Sequence, residues 1–334
     1  MHPPEAIIAR AKSVMKNKAL FPFIVICATA LIVASCQKEQ DRISQPKRLS
    51  IVATLFPLYD FAREIGGDQA DVTLLLPPGI EAHSFEPKPG DMITINNAGI
   101  FLYTGKYMEP WVEKILQATD NKNLNVIDTS KGVTLHKNTS GHEEDDHGQE
   151  IQGHNEEGAY DPHIWLDFRN AQKMVDSILE GLTRQDPANQ DFYAKNAAAY
   201  KAKLLALDEK FRKTLSACKK DTFVHSGHFA FNYLASRYNL HYISAYGGSP
   251  NAEPTPGKII ELKKFILGHG IKYIYYEELI TPRIADILNK ETGVQLLKLS
   301  GAHNIGKDDL KQGKTFLGLM EDNLTNLKVG LECQ

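Results

Sequence analysis

Three familiar signatures are missing from this chain of 334 residues. His154-Asn-Glu-Glu-Gly158 begins like a His-Glu-x-x-His pair but never reaches a second histidine, which removes the helical metalloprotease arrangement. No glycine-rich phosphate loop is visible, so nucleotide binding lacks its usual backbone cradle. There is no basic excess either. The formal charge is −3, and residues 1–36 contribute Arg10, Lys12, Lys16, Lys18 and Glu5, so the remainder stands at −6. That is no nucleic-acid footprint. Cysteine is sparse, with four in all.

Histidine is where the chain is rich. His136, His142, His147 and His154 lie in a tract of acidic and small residues without apolar periodicity. Such a tract cannot pack a core and is expected to be a mobile, solvated loop. Neutral imidazole suits zinc, copper and nickel. These four residues are therefore candidate secondary metal sites, weak and transient, that raise the local metal concentration; an acidic loop with incidental histidines is the alternative.

The N-terminus reads as a targeting segment. A basic stretch precedes the charge-free, apolar run from Ala19 to Ser35. That length fits a signal segment and is short for a spanning helix. Val33-Ala34-Ser35-Cys36 resembles the bacterial lipobox, in which the cysteine carries lipid; an uncleaved membrane anchor is the alternative. Met15 is a second candidate start beside Met1. The expected location is the exported side of a bacterial membrane, facing the periplasm or the cell exterior. Residues 37–47 are polar and read as a flexible tether. Cys27 belongs to the signal, which leaves Cys218 and Cys333. In an oxidising compartment that pair is a candidate disulfide, tying the C-terminal helix to the start of a strand; two buried thiols are the alternative.

The folded body starts near Arg48. Strands are expected over 49–55, 71–76, 100–103 and 124–128, alternating with helices over 59–65, 91–97 and 108–118. The pattern implies a parallel sheet with crossover helices. Helix 170–182 follows the histidine-rich tract. From Pro187 to Ala217 the pattern is helical without glycine or a second proline, which reads as a long, rigid spacer between two lobes. Beyond it, strands over 222–225, 242–246, 273–276 and 296–299 alternate with helices over 229–238, 258–267, 282–292 and 315–331. The expected fold is α/β, two parallel-sheet lobes joined by one long helix. Its parts are a signal at 1–36, a tether at 37–47, a first lobe at 48–186 carrying loop 136–154, a linking helix at 187–217 and a second lobe at 218–334.

Four further histidines fall in loops after predicted strands: His83, His163, His228 and His303. In parallel α/β sheets ligands gather at the carboxyl ends of strands. Two of the four belong to each lobe, so an ion between the lobes could take two imidazoles from each side, and four would close a tetrahedral zinc site. Spacing alone is a weak signal. The wording around them is stronger. His83-Ser-Phe-Glu-Pro-Lys-Pro-Gly-Asp, Asp161-Pro-His163-Ile-Trp-Leu-Asp and His228-Phe-Ala-Phe-Asn-Tyr-Leu-Ala resemble the metal-binding motifs of the zinc/manganese solute-binding lipoproteins of ABC importers, the ZnuA type. Glu291-Thr-Gly and the segment from Gly313 to Leu324 are similar to that family's C-terminal portion.

The resemblance runs from Arg48 to the C-terminus. It implies two α/β lobes joined by a rigid helix, with metal in the cleft and an import permease as partner. It places ligands at His83, His163 and His228. The fourth position, often Asp or Glu in the family, falls at His303. Imidazole in place of oxygen favours zinc over manganese. His225, just before His228, is an alternative ligand. Glu277-Glu278 could supply a carboxylate or orient a ligand, and Asp161 could orient one too. Trp165 and Phe229 read as cleft wall or core. The expected cargo is Zn2+, the expected protein a monomer without enzymatic activity. A manganese binder or adhesin, and a tethered zinc hydrolase, are the competing readings; four protein ligands leave no open position for hydrolysis.

The lipobox reading has a direct test. Cys36→Ala should release the protein from the membrane or leave an unprocessed precursor, read by fractionation and mass spectrometry. A variant that stays membrane-bound and is processed to the same mass would contradict it.

Overall fold

The structure, a computed structural model, describes residues 48–138, 159–246, 254–277 and 283–334. The proposed signal, tether, Cys36, His142, His147, His154 and Glu278 lie outside the described residues. No helix among the described residues is long and apolar enough to cross a membrane.

Two four-stranded sheets share one plan. The first comprises β1 (Leu49–Ala53), β2 (Ala70–Leu74), β3 (Ile100–Tyr103) and β4 (Asn125–Asp128), in the order β2-β1-β3-β4. The second comprises β5 (Thr222–His225), β6 (His241–Ser244), β7 (Tyr273–Tyr276) and β8 (Gln295–Lys298), in the order β6-β5-β7-β8. Every pairing is parallel. Parallel strands need crossovers, and the helices supply them. In the first lobe these are α1 (Phe56–Gly66), α2 (Pro89–Asn96) and α3 (Val112–Gln117), followed by α4 (Phe168–Gln185). In the second they are α6 (Asn232–Tyr238), α7 (Pro256–Gly268) and α8 (Arg283–Thr292), followed by α9 (Lys307–Lys311) and α10 (Phe316–Gly330).

Between the lobes runs α5 (Gln190–Leu215), 26 residues long, led in by a short 3-10 turn at Pro187–Asn189. It is less a free spacer than a packed spine. Tyr193, Ala197, Tyr200, Leu204, Leu207, Phe211 and Leu215 are all buried. Their spacing of three or four puts them on one stripe of the helix. That stripe belongs to a core running through both lobes, from Ile51 and Phe61 to Phe316 and Leu327. A smaller core around Val52, Phe101 and Val112 covers the other face of the first sheet, and one around Val224, Leu262 and Ile274 does so for the second. Each sheet is thus covered on both faces, as all-parallel sheets require.

The C-terminal helix crosses back. Phe316 of α10 meets Phe61 of α1 edge to face, with ring centroids 5.1 Å apart. Buried Asp60 accepts the Phe316 backbone N–H at 2.9 Å and the Tyr200 hydroxyl at 3.3 Å, which ties α1, α5 and α10 together. Cys218 and Cys333 form a disulfide that fastens the end of the chain to the residues after α5.

The strands at 100–103, 222–225 and 273–276 have the expected bounds. Elsewhere the ends move. The first strand stops at Ala53, and the helix expected over 59–65 starts earlier, at Phe56-Pro57, because proline in a first helical turn sacrifices no hydrogen bond. Helix α9 had no apolar stripe to reveal it.

In open sheets of this order the crevice beside the first strand is the usual ligand place. In the first lobe a protein carboxylate fills it. Glu109 is buried and accepts from the Thr54 hydroxyl at 2.5 Å and from the backbone N–H groups of Thr104 and Gly105 at 3.1 Å. Burial, only partly offset by these bonds, pushes its carboxyl up to about 7. A raised carboxyl contributes stability that is complete below its unfolded value and lost as pH rises through its folded one. Glu109→Gln should therefore gain on the wild type by about 3 kcal/mol between pH 4.5 and pH 7.5 in metal-free urea denaturation. A difference between the two proteins that does not vary with pH would contradict this.

Candidate metal centre

His83 follows β2, His163 follows β4, His228 follows β5 and His303 follows β8. All four lie beyond the carboxyl ends of strands, and the shared sheet order turns both sets toward one another. The Nε2 atoms of His83 and His163 lie 3.2 Å apart, and those of His163 and His228 3.1 Å apart. Ligand atoms of these three residues all fall within 4.8 Å of one another.

The outer nitrogens explain why this cluster needs a cation. Asp161 Oδ1 accepts both the backbone N–H of His163 at 3.0 Å and its Nδ1–H at 2.8 Å. Glu277 Oε1 does the same for His228, at 2.8 Å and 2.5 Å. A carboxylate on Nδ1 fixes the tautomer and leaves the Nε2 lone pair bare. When His228 is neutral, two lone pairs face each other at 3.1 Å in a buried place, and a shared proton or a metal cation satisfies both. A tetrahedral ion with Zn–N bonds of about 2.0–2.1 Å would set its nitrogens about 3.3 Å apart, close to the spacing found.

The electrostatics agree. Burial and the neighbouring imidazoles hold His83 and His163 well below the usual imidazole range, so both rings are neutral and able to bind metal. Burial pulls His228 down as well, but the Glu277 charge and hydrogen bond outweigh it and the net shift is upward. Burial alone would raise Glu277, yet His228, its hydrogen bond, His225 and His303 carry its carboxyl well below the ordinary range. Burial pushes Asp161 up to about 7, and a cation at His163 would draw it back toward the ionised form.

His303 stands at the same centre but outside the tight trio. Its ring centroid is 5.6 Å from that of His228, 6.3 Å from His83 and 6.4 Å from His163. Its Nδ1 is buried without a hydrogen-bond partner, and burial pulls its pKa down to about 4. Ala302, just before it, adopts φ 55, a left-handed conformation rare outside glycine that turns the chain at this point.

The other candidates resolve as follows. His225 is fully buried with both ring nitrogens unpartnered, edge to face with Phe231 at 4.8 Å, and is not in the converging trio. His136 stacks on Tyr233 at 4.2 Å and accepts the Asp161 N–H at its carbonyl, and it is not in the converging trio. Trp165 is core, and its Nε1–H donates to the Gly301 carbonyl at 2.8 Å. Phe229 stacks on Tyr242 at 4.9 Å. Gly227 is required by close approach, since a Cβ there would meet Glu277 Oε1 at 2.1 Å and His225 Cε1 at 2.7 Å.

Sequence reasoning missed the ties between the ligand loops. Trp165 reaches across from the His163 segment to the His303 segment. The Tyr233 hydroxyl donates to the Asp161 carbonyl at 3.1 Å and accepts the His136 backbone N–H at 2.9 Å. Asn304 bonds to the loop that carries His83. Only adjacency to the histidines hinted at any of these.

A two-lobed α/β chain whose imidazoles converge from both lobes has a donor set suited to a transition-metal ion. The chain belongs to the ZnuA family, described as zinc-uptake complex component A, periplasmic, which matches residues 51–330. It is 38% identical over 304 residues to the zinc-binding lipoprotein AdcA of Streptococcus pneumoniae, covering 91% of this chain and 59% of that protein. It is 35% identical over 310 residues to the high-affinity zinc uptake system protein ZnuA of Bacillus subtilis, covering 92% and 96%. The Zn(II)-bound ZnuA-like domain of the pneumococcal AdcA superposes with a TM-score of 0.71 at 35% identity, over 85% of this chain and 99% of that domain. The chain thus spans under two thirds of AdcA and nearly all of the Bacillus protein.

Glu277→Gln keeps the shape but removes the charge that holds His228. It should weaken divalent-metal affinity by about 10–100-fold with the thermal midpoint of the metal-free protein little changed. Unchanged affinity in competitive titration would remove Glu277 from the site.

Proposed function

We propose that this protein captures Zn2+ outside the cytoplasm and delivers it to the permease of an ABC importer. His83, His163, His228 and His303 hold the ion in the cleft between the lobes. The carrying observation is the meeting of three imidazoles through Nε2, two of them oriented at Nδ1 by buried carboxylates. The zinc-binding names of the relatives support the choice of ion. So does the donor set: Oδ1 of Asp161 and Oε1 of Glu277 are committed to Nδ1 atoms, the three converging donors are imidazole nitrogens, and a hard ion such as manganese wants oxygen in direct contact. The chain carries no reaction. It binds and releases.

The rest of the molecule follows from that role. Residues 1–36 direct export and end in the lipidated Cys36, residues 37–47 tether the body to the membrane, and residues 48–334 act as a monomer. The histidines of the tract 136–154 gather zinc near the cleft. One solved relative, the laminin-binding protein of Streptococcus agalactiae, is described as having both adhesin and metal transporting activity, at a TM-score of 0.74 and 30% identity; adhesion is the second reading for this chain.

His83→Ala, His163→Ala and His228→Ala should each lower zinc affinity by at least about a hundredfold while leaving the circular dichroism of the metal-free protein unchanged. His225→Ala should bind like the wild type. Equal zinc affinity across all four variants, measured by calorimetry with a competing chelator, would sink the assignment.

A further inference from the structure

The three converging imidazoles are not equally restrained. His163 and His228 are buried, and each is clamped at Nδ1 by a carboxylate. His83 is half-buried, and among the described residues no hydrogen bond holds its Nδ1. Its backbone N–H and that of Ser84 bond to Glu81, at 3.0 Å and 2.9 Å, which orders the turn locally, while buried Ala82, together with Phe85 edge to face with Trp111, holds the loop to the first lobe. An ion leaving this site therefore parts from His83 most easily, and the His83 loop must be held by something beyond itself.

The side-chain tie to the other lobe comes from Asn304. Asn304 is fully buried, immediately after His303. Its Nδ2 donates to the Pro77 carbonyl at 2.9 Å and to the Ile80 carbonyl at 2.6 Å. Its Oδ1 accepts the Ile305 backbone N–H at 2.7 Å, and the Gly79 N–H donates to the Ile305 carbonyl at 2.9 Å. The turn 77–80 that leads to His83 is thus pinned across the cleft. Asn304 uses both amide protons and its oxygen, so no other residue of that size could replace it.

We propose that Asn304 is a positioning residue that sets the rate of zinc release: it latches the His83 loop to the second lobe, and the ion escapes when that latch opens. The proposal rests on reading the histidine cluster as a zinc site. Removing the latch frees the loop without touching a ligand, so release quickens while capture, governed by encounter with the open cleft, changes little.

The test is stopped-flow zinc dissociation into excess chelator for the full chain, Asn304→Ala, Asn304→Ser, His83→Ala and the double variant His83→Ala with Asn304→Ala. Asn304→Ala should release zinc about tenfold faster, the worth of one or two buried hydrogen bonds. Asn304→Ser, which keeps one donor, should fall between it and the wild type. In the His83→Ala background the Asn304 change should add nothing, because the loop no longer carries a ligand. Wild-type release rates in Asn304→Ser, or an equal acceleration with and without His83, would overturn the latch and leave Asn304 a structural residue only. Asn304→Ser decides the matter if Asn304→Ala fails to fold. A wild type that binds no zinc would bring down the site reading first, which separates that failure from this one.

Discussion

Two buried carboxylates, Asp161 and Glu277, set the terms for everything near the cleft. Each takes the Nδ1–H and the backbone N–H of one histidine, and each thereby aims a bare Nε2 lone pair at the same point. In a dry interior such facing lone pairs repel unless a cation lies between them. The cluster is suited to a cation. One carboxylate comes from two residues upstream in the same turn, the other from a strand end 49 residues away, so two quite different local structures reach one result. Gly227 makes the second possible by leaving room for the Glu277 oxygen.

The fold makes the convergence inevitable once two sheets of the same order face each other. Ligand loops in parallel sheets leave from the carboxyl ends of strands. Here β2 and β4 feed one side, β5 and β8 the other. A shared core along α5 and the return of α10 onto α1 fix the two lobes together. Buried hydrogen bonds from Trp165, Tyr233 and Asn304 then join loop to loop across the centre. Most of the restraint falls on His163 and His228. Of the three converging rings, His83, on a loop with two consecutive prolines and more exposed than the other two, carries the least. That inequality suits a protein that must give up its ion as well as hold it.

Much of this was legible in the sequence. The alternation of β-rich and helical runs marked both sheets, and three strands have the expected bounds because their apolar runs end sharply at glycine, serine or acidic residues. The four histidines after strand ends were legible from wording and position. Asp161 and Glu277 were visible as candidates, since carboxylates beside ligand histidines commonly orient them. Apart from the Cys218–Cys333 pair, long-range pairing was not legible. Nothing near Trp165 announces Gly301, and nothing near Asn304 announces Pro77, because each contact joins segments more than a hundred residues apart. The stripe on α5 was readable as a long helix between the lobes, but its packing partners were not, since periodicity shows that a face is buried and not what buries it.

The central claim is that neutral imidazoles alone hold the ion. Zinc K-edge X-ray absorption of the zinc-loaded protein tests it most directly. The account predicts a single shell of four nitrogen neighbours at about 2.0–2.1 Å with the outer scattering of imidazole rings. A shell with two or more carboxylate oxygens, or any sulfur, would contradict it.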